Sequence, residues 1–351
     1  MKWILLAREN LGRPSYLDYR RGVAQKSISL APGSLLVKTR AHLLQSSAWY
    51  AAKGAAEVRI DRLVEKRRGK MRKLDTVAIL GVGLIGGSIG LALRHRNLAR
   101  CVVGVGRSPV SLRLARRVGA VSTTTTDIAR GVAEAELVVV CTPVDRIVDH
   151  VLDVAQACRR DALVTDVGST KSEIVASLKG RLPNSVRFIG SHPLAGGERA
   201  GVGSASVDLF ENRLVVVTPT RESKKLDCQT LAEFWTALGA NVVSMTPRKH
   251  DQSVASISHL PHLLASALAA ATPEKSLSLA ATGFQDTTRV AAGDPDLWTQ
   301  IFLSNQAPVL EALGRLEISL GRFRTAIDNR DTRALKRMLT TAKRKRDVVG
   351  S

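Results

Sequence analysis

From Thr76 onward, short unbroken apolar runs alternate with stretches in which apolar residues recur at helical spacing. The runs at 76–80, 101–105, 136–141, 162–166, 186–190, 213–217 and 241–245 predict strands. Several are continuous Val, Ile and Leu, the composition of parallel strands buried on both faces. Alternation with helices is the βαβ signature of a parallel sheet covered on both sides. After Met245 the strand pattern stops, and 250–271, 275–282, 296–328 and 331–347 read as helices rich in Ala, Leu and Ser. The stretch 296–328 carries apolar residues on more than one side (Leu297, Ile301, Leu310, Leu313, Leu316, Leu320). A helix that is apolar over a wide arc needs burial against other helices or a second subunit.

Between the first strand and the helix after it stands Gly81-Val-Gly-Leu-Ile-Gly86-Gly-Ser-Ile-Gly90. A GxGxxG alone is a weak pattern; placed between a strand and a helix it is the dinucleotide-binding fingerprint. Gly81 allows the tight turn, Gly83 lets backbone approach a pyrophosphate, and Gly86 allows the helix to pack on the strand. The pyrophosphate then meets the free N–H groups of the helix N-terminus, so Leu84 and Ile85 join the three glycines as cofactor-binding candidates. The predicted fold class is α/β: a Rossmann-type dinucleotide-binding domain over 74–245, followed by an all-α substrate and dimerisation domain over 246–351.

The second strand decides which dinucleotide. NAD-binding folds usually place Asp or Glu at its end to bond the ribose 2′-hydroxyl. Here Gly106 stands at that place, followed by Arg107 and Ser108. With no carboxylate to repel a 2′-phosphate and a guanidinium to pair with it, the cofactor is expected to be NADP in preference to NAD. Thr142 and Pro143, after the strand at 136–141, are the remaining cofactor-side candidates, because ligands of open α/β sheets bind beyond the carboxyl ends of the strands.

Charge adds a question more than an answer. The chain of 351 residues has 52 Lys and Arg against 31 Asp and Glu, a net charge of +21. Residues 1–73 hold 17 and 5 of these, a net of +12, and the other 278 residues hold 35 and 26, a net of +9. The excess ahead of the fold and the cluster Lys343-Arg-Lys-Arg346 lack the interleaved aromatics of single-strand binders, so solvated tails are expected and no nucleic-acid partner. Residues 1–73 are read as a basic, disordered extension or as a region upstream of a true start at Met71; a transit peptide is disfavoured by Glu9, Asp18, Glu57 and Asp61. No unbroken apolar run approaches the ~20 residues of a membrane span. Cys101, Cys141, Cys158 and Cys228 show no paired or zinc-type spacing, which predicts a reducing, cytoplasmic setting and no metal site.

Five segments in order carry a family resemblance: Gly81 to Ser88, Thr165-Asp-Val-Gly-Ser-Thr-Lys171, Ser191-His-Pro-Leu-Ala-Gly-Gly-Glu198, His250-Asp251 leading into Ser258-His-Leu-Pro-His262, and Gly283-Phe-Gln-Asp-Thr-Thr-Arg289 with Asp294-Pro and Trp298. From about residue 74 to 347 the chain resembles the prephenate/arogenate dehydrogenases of tyrosine biosynthesis. The resemblance implies a homodimer with its active site between the two domains. It also implies an oxidative decarboxylation in which hydride leaves a ring hydroxyl carbon for NAD(P), CO₂ departs and the ring becomes aromatic.

On that resemblance His192 occupies the place of the catalytic histidine, in a Gly- and Pro-bounded loop at a strand end. An imidazole titrates near neutrality and suits acceptance of the hydroxyl proton. Ser169 matches the serine that bonds the same hydroxyl, although a serine in a Gly-Ser-Thr turn is by itself a turn former. Arg289 is the candidate for a substrate carboxylate, since guanidinium offers bidentate geometry. A substrate-binding histidine is implied at His259 or His262, spaced to share a helix face. Lys171 and Glu198 match motif positions without an assigned role, and Asp166 is expected to cap the following turn. Two other readings compete. One is a β-hydroxyacid type of dehydrogenase, whose base is a lysine of the helical domain. The other is a non-catalytic dinucleotide-binding protein with a nucleic-acid-binding tail.

Overall fold

The computed structural model describes residues 71–197 and 200–349. Residues 1–70, which hold nearly all of the expected extension, and Glu198 lie outside the described residues.

Six parallel strands form the main sheet in the order β3-β2-β1-β4-β5-β6, with β1 Leu74–Leu80, β2 Ala99–Val105, β3 Thr123–Thr125, β4 Leu137–Val140, β5 Leu163–Asp166 and β6 Arg187–Phe188. Side-chain alternation divides the core between its two faces. Val77, Ile79 and Val139 face Ile89 and Leu93 of helix α1 (Leu84–His95). Ala78, Leu80, Val138 and Val140 instead face Ile147, Val151 and Val154 of α4 (Ile147–Ala157). Between them run α2 (Pro109–Arg117) and α3 (Ile128–Val132), and α5 (Ser172–Leu178) follows β5. The strand order reverses between β1 and β4, so their carboxyl ends open a crevice there.

The seven expected strands do not all join one sheet. The run 186–190 divides: β6 ends in the main sheet, and after Ile189 the chain enters β7 (Gly190–Pro193) of a second sheet. There β7 pairs antiparallel with β8 (Leu214–Thr218), which pairs parallel with β9 (Asn241–Ser244). Helix α6 (Lys225–Ala237) covers the second sheet with Leu231, Phe234 and Trp235. Three-residue β3, polar throughout, had too little apolar pattern to be read from sequence.

The helical part also departs from expectation in three places. The expected helix 250–271 begins at Pro247 and runs to Ala271, through α7 (Pro247–Val254), a π-helical turn (Ala255–His259) and α8 (Leu260–Ala271). Among the described residues this helix is long and apolar enough to cross a membrane, a length hidden from a count of unbroken runs by its interspersed Ser and His. Along it the polar side chains of His250, Asp251, His259 and His262 are buried, while Ile257, Leu264 and Leu268 are exposed. The expected helix 275–282 is instead α9 (Glu274–Leu277) followed by α10 (Thr282–Thr288) and a 3-10 turn, Arg289–Ala292.

The expected helix 296–328 is two: α11 (Pro295–Ser304) and α12 (Gln306–Asp328). Asn305 breaks it. Its backbone lies at φ −121°, and its buried amide donates to the Asp251 carbonyl at 2.9 Å instead of facing solvent. Helix α13 (Thr332–Val348) closes the chain, capped by the Asp331 carboxylate on the Ala334 N–H.

Candidate active site

The cofactor side is made of backbone. Gly81 sits at φ +97°, where a Cβ would meet the Cys141 carbonyl oxygen at 2.7 Å. A Cβ on Gly86 would lie 2.2 Å from the Gly81 carbonyl oxygen, so the first turn of α1 packs against β1 only with glycine there. In front of Gly83 a Cβ would meet nothing within 4 Å. Gly83 caps α1 with no side chain, and its carbonyl receives the Gly87 N–H at 2.9 Å. The N–H groups of Leu84, Ile85 and Gly86 precede the first helical bond and are directed at that space. An open, anion-attracting rim at a helix N-terminus, at the switch point of the sheet, fits the pyrophosphate of a dinucleotide.

At the end of β2, Arg107 and Ser108 are exposed, and the Ser108 hydroxyl caps α2 by accepting the Ser111 N–H at 3.3 Å. Across the rim, Thr142 Oγ1 bonds His150 Nδ1 at 2.9 Å, and Pro143 opens the turn leading to α4. Burial first, then the positive charges of Arg146 and Arg107, hold the His150 imidazole below its usual pKa.

The chemical side is made of side chains from both halves of the fold. His192 lies on β7 itself, with its Cα opposite Val216, and not in the expected loop. Strand pairing holds its backbone on one side, and its Nδ1 meets His250 Nε2 at 2.9 Å on the other. His250 Nδ1 meets Asp251 Oδ1 at 2.7 Å. Asp251 Oδ1 also accepts the Lys171 N–H at 2.9 Å, and Oδ2 accepts the Ser172 N–H at 2.7 Å. Asp251 thereby seats the start of α5 on α7.

Lys171, wholly buried, is ion-paired with the equally buried Asp166. The Asp166 carboxylate also accepts the Gly168 N–H at 2.8 Å, the turn-capping role expected of it. Ser169 stands half-buried in the same strand-end turn.

Electrostatics follow from this burial. Desolvation first, then the neighbouring His250, Lys171 and His259, hold His192 well below the usual histidine pKa. Burial likewise lowers His250, against the opposing pull of Asp251. Burial raises the Asp251 carboxyl, but hydrogen bonds from His250 and Ser172 outweigh it, and its pKa falls below the usual value. At neutral pH the cluster therefore holds two neutral imidazoles and an ionised carboxylate.

The two histidines left open by the sequence are distinguished here. Buried His259 is engaged through Nδ1 by the Asn305 amide at 3.1 Å, and burial lowers its pKa to about 4. His262 stacks on Trp298 with ring centroids 3.6 Å apart, and its buried Nδ1 has no hydrogen-bond partner. Both rings approach Trp298, so they do share a face. Arg289 opens the 3-10 turn after α10 and is exposed. Sequence reasoning missed the roles of His250, Asp251 and Asn305. The adjacent His250-Asp251 pair was visible as a motif, but only the fold brings it to His192.

A Rossmann sheet with a glycine cradle, a buried histidine cluster beside it and a helical half completing that cluster define a two-domain nicotinamide-dinucleotide dehydrogenase. Family models match over most of the described chain: the nucleotide-binding domain of prephenate dehydrogenase over residues 89–244 and its dimerization domain over 246–341. Prephenate dehydrogenase of Bacillus subtilis is 32% identical over 280 residues, which cover 78% of this chain and 76% of that one. The structure of prephenate dehydrogenase from Aquifex aeolicus with hydroxyphenyl propionate and NAD+ superposes with a TM-score of 0.74 at 32% identity, covering 79% of this chain and 99% of that one. Synechocystis arogenate dehydrogenase superposes with a TM-score of 0.67 at 30% identity, covering 78% and 99%. The chain belongs to the prephenate dehydrogenase family.

Proposed function

We propose that this chain oxidises and decarboxylates prephenate, arogenate or both, yielding 4-hydroxyphenylpyruvate or tyrosine. The observation that carries this reading is His192, neutral and hydrogen-bonded through Nδ1 within a buried cluster, on a strand whose following loop brings Gly197 to Leu84 at the dinucleotide cradle. The dinucleotide, when bound, supplies the hydride acceptor. His192 takes the proton of the ring hydroxyl as that carbon is oxidised, which a neutral imidazole does and an imidazolium does not. Loss of the ring carboxylate as CO₂ and aromatisation supply the driving force, so the protein's main tasks are orientation and this one proton. Ser169, in the turn after β5, is assigned to hold the hydroxyl. Arg289 is assigned to a substrate carboxylate. His262, with its unpartnered buried nitrogen, is preferred over His259 as the substrate-binding histidine.

The helical domain, taken to begin near residue 246, offers two of these groups where a β-hydroxyacid dehydrogenase would offer a lysine. NADP is favoured over NAD because Arg107 is exposed at the end of β2 and no carboxylate stands at Gly106. A homodimer is supported by the shortage of apolar core among the helices, where Ala255, Val309 and Ala312 form the buried cluster while Ile257, Leu264, Leu268, Leu310 and Ile318 are exposed. Steady-state kinetics with prephenate and arogenate, each with NAD and NADP, test the substrate and cofactor together. Turnover of neither substrate would overturn the function. A lower KM for NAD than for NADP would overturn the cofactor reading alone, and a Gly106→Asp, Arg107→Ala double variant should move the preference toward NAD.

A further inference from the structure

With both imidazoles neutral, the hydrogen bonds behind His192 admit one assignment of protons. Asp251 already accepts two backbone N–H groups, from Lys171 at 2.9 Å and Ser172 at 2.7 Å, one on each oxygen. Its carboxyl is ionised, and an ionised carboxylate only accepts, so the nitrogen of His250 that faces it, Nδ1, must carry hydrogen. A neutral imidazole has one N–H, which leaves His250 Nε2 as an acceptor. The atom 2.9 Å from it, His192 Nδ1, must then be the donor. His192 is neutral too, so the hydrogen on Nδ1 strips its Nε2 of one.

We infer that His250 and Asp251 are positioning residues that lock His192 in its Nδ1–H tautomer and leave the Nε2 lone pair as the proton acceptor. This rests on the assignment of His192 as the base and adds what makes it one. The relay crosses the fold: His192 is on β7 of the second sheet, His250 and Asp251 are on α7, and the carboxylate is oriented by the first N–H groups around α5. Asn305 holds the main chain of the same turn by donating to the Asp251 carbonyl. The base is therefore assembled only when helical half and sheet half meet.

The relay also says what happens to the charge. A proton arriving on Nε2 makes His192 an imidazolium whose Nδ1–H already points at a hydrogen-bond acceptor, with the Asp251 carboxylate one ring further on. The other charges facing the cluster are Lys171 and Asp166, which are paired with each other and nearly cancel, and neutral His259. Protonation of His250 would instead put a hydrogen on its Nε2, reverse the bond and turn His192 into the Nε2–H tautomer. Burial of His250 opposes that switch.

The test is nitrogen-15 NMR of the full chain labelled at histidine, with His192 identified by its loss in His192→Asn. A protonated Nδ1 and bare Nε2 on His192 at neutral pH are expected; an Nε2–H tautomer would overturn the inference. In Asp251→Asn the amide can turn its NH₂ toward His250 and invert the chain. We expect His192 to change tautomer and kcat to fall by roughly 10³–10⁴-fold, as when a triad aspartate becomes asparagine, with KM little changed. Because Asp251 also seats α5, His250→Ala provides a second variant. Its kcat should fall and recover partly with added imidazole, which a purely structural loss would not. If His192→Asn is inactive while His250→Ala and Asp251→Asn turn over normally, the relay is wrong and the base assignment stands. If His192→Asn is itself active, the base assignment is wrong.

Discussion

The glycine cradle follows β1 of the main sheet and the histidine cluster joins β7 of the second sheet to α7, and they are built on opposite principles. The cradle uses backbone alone: Gly81, Gly83 and Gly86 present carbonyls, N–H groups and empty space. It comes from one continuous stretch of chain, and what matters there is volume. The cluster uses side chains from β5, β7, α7 and the Asn305 break, separated by up to 139 positions in the chain (Asp166 to Asn305). What matters there is which atom donates and which accepts. A cradle should therefore tolerate changes of chemistry and fail on changes of size; the cluster should do the reverse.

The largest expected effect is in the cluster. His192→Asn keeps a polar side chain of similar size, yet kcat should fall by roughly 10²–10⁴-fold, the range for losing a general base, with dinucleotide affinity within about twofold. Near-normal turnover would break the comparison at once. In the cradle, Gly86→Val places atoms against a carbonyl only 2.2 Å from the new Cβ, and should cost about 3 kcal/mol of stability in a denaturant titration. Gly83→Ala sharpens the contrast, because nothing lies within 4 Å of its Cβ. Its folding should be unchanged while dinucleotide binding, followed by fluorescence, weakens by about tenfold as the methyl group fills the pyrophosphate space.

Arg289→Ala should raise the KM for substrate more than about tenfold with a smaller effect on kcat, since a carboxylate clamp contributes binding common to ground and transition states. Normal constants for substrate and cofactor would place the substrate elsewhere.

The smallest effect is on stability against pH. His192, His250 and His259 have pKa values lowered in the folded state, His259 to about 4. Below the unfolded-state value of about 6.5 the unfolded chain binds protons that the folded chain refuses, so stability is full above that pH and declines as pH falls toward 4. Denaturant midpoints measured from pH 7 to pH 4.5 should fall, and His259→Gln should flatten part of that slope. A midpoint independent of pH in that window would mean that the histidines are solvated.

The main sheet and the cradle were legible because their information is local. Val-rich runs such as Leu137–Val140 make strands in any parallel sheet, and Gly81 to Gly86 carry the turn, the approach and the helix start within six residues. The second sheet was not legible as such, because β6 and β7 are separated only by Ile189 and the apolar run 186–190 continues through the break. Nor was the break at Asn305. Its flanks, Leu297 to Ser304 and Gln306 to Leu316, both have helical spacing, and only the distant Asp251 carbonyl and His259 ring explain why an asparagine amide should be buried there.

The sequence by itself determined the fold class and the glycine turn between β1 and α1, since strand formation and a tight turn are properties of short stretches. Tertiary structure alone decided which neutral partner His192 would bond, which of two helical histidines kept a free nitrogen, and that a buried Lys171–Asp166 pair would stand beside them. The physical reason is range. Apolar periodicity and backbone geometry act over a few residues, whereas a tautomer and a depressed pKa depend on which donors, acceptors and charges meet in a low-dielectric interior, and those meet only after the chain has folded.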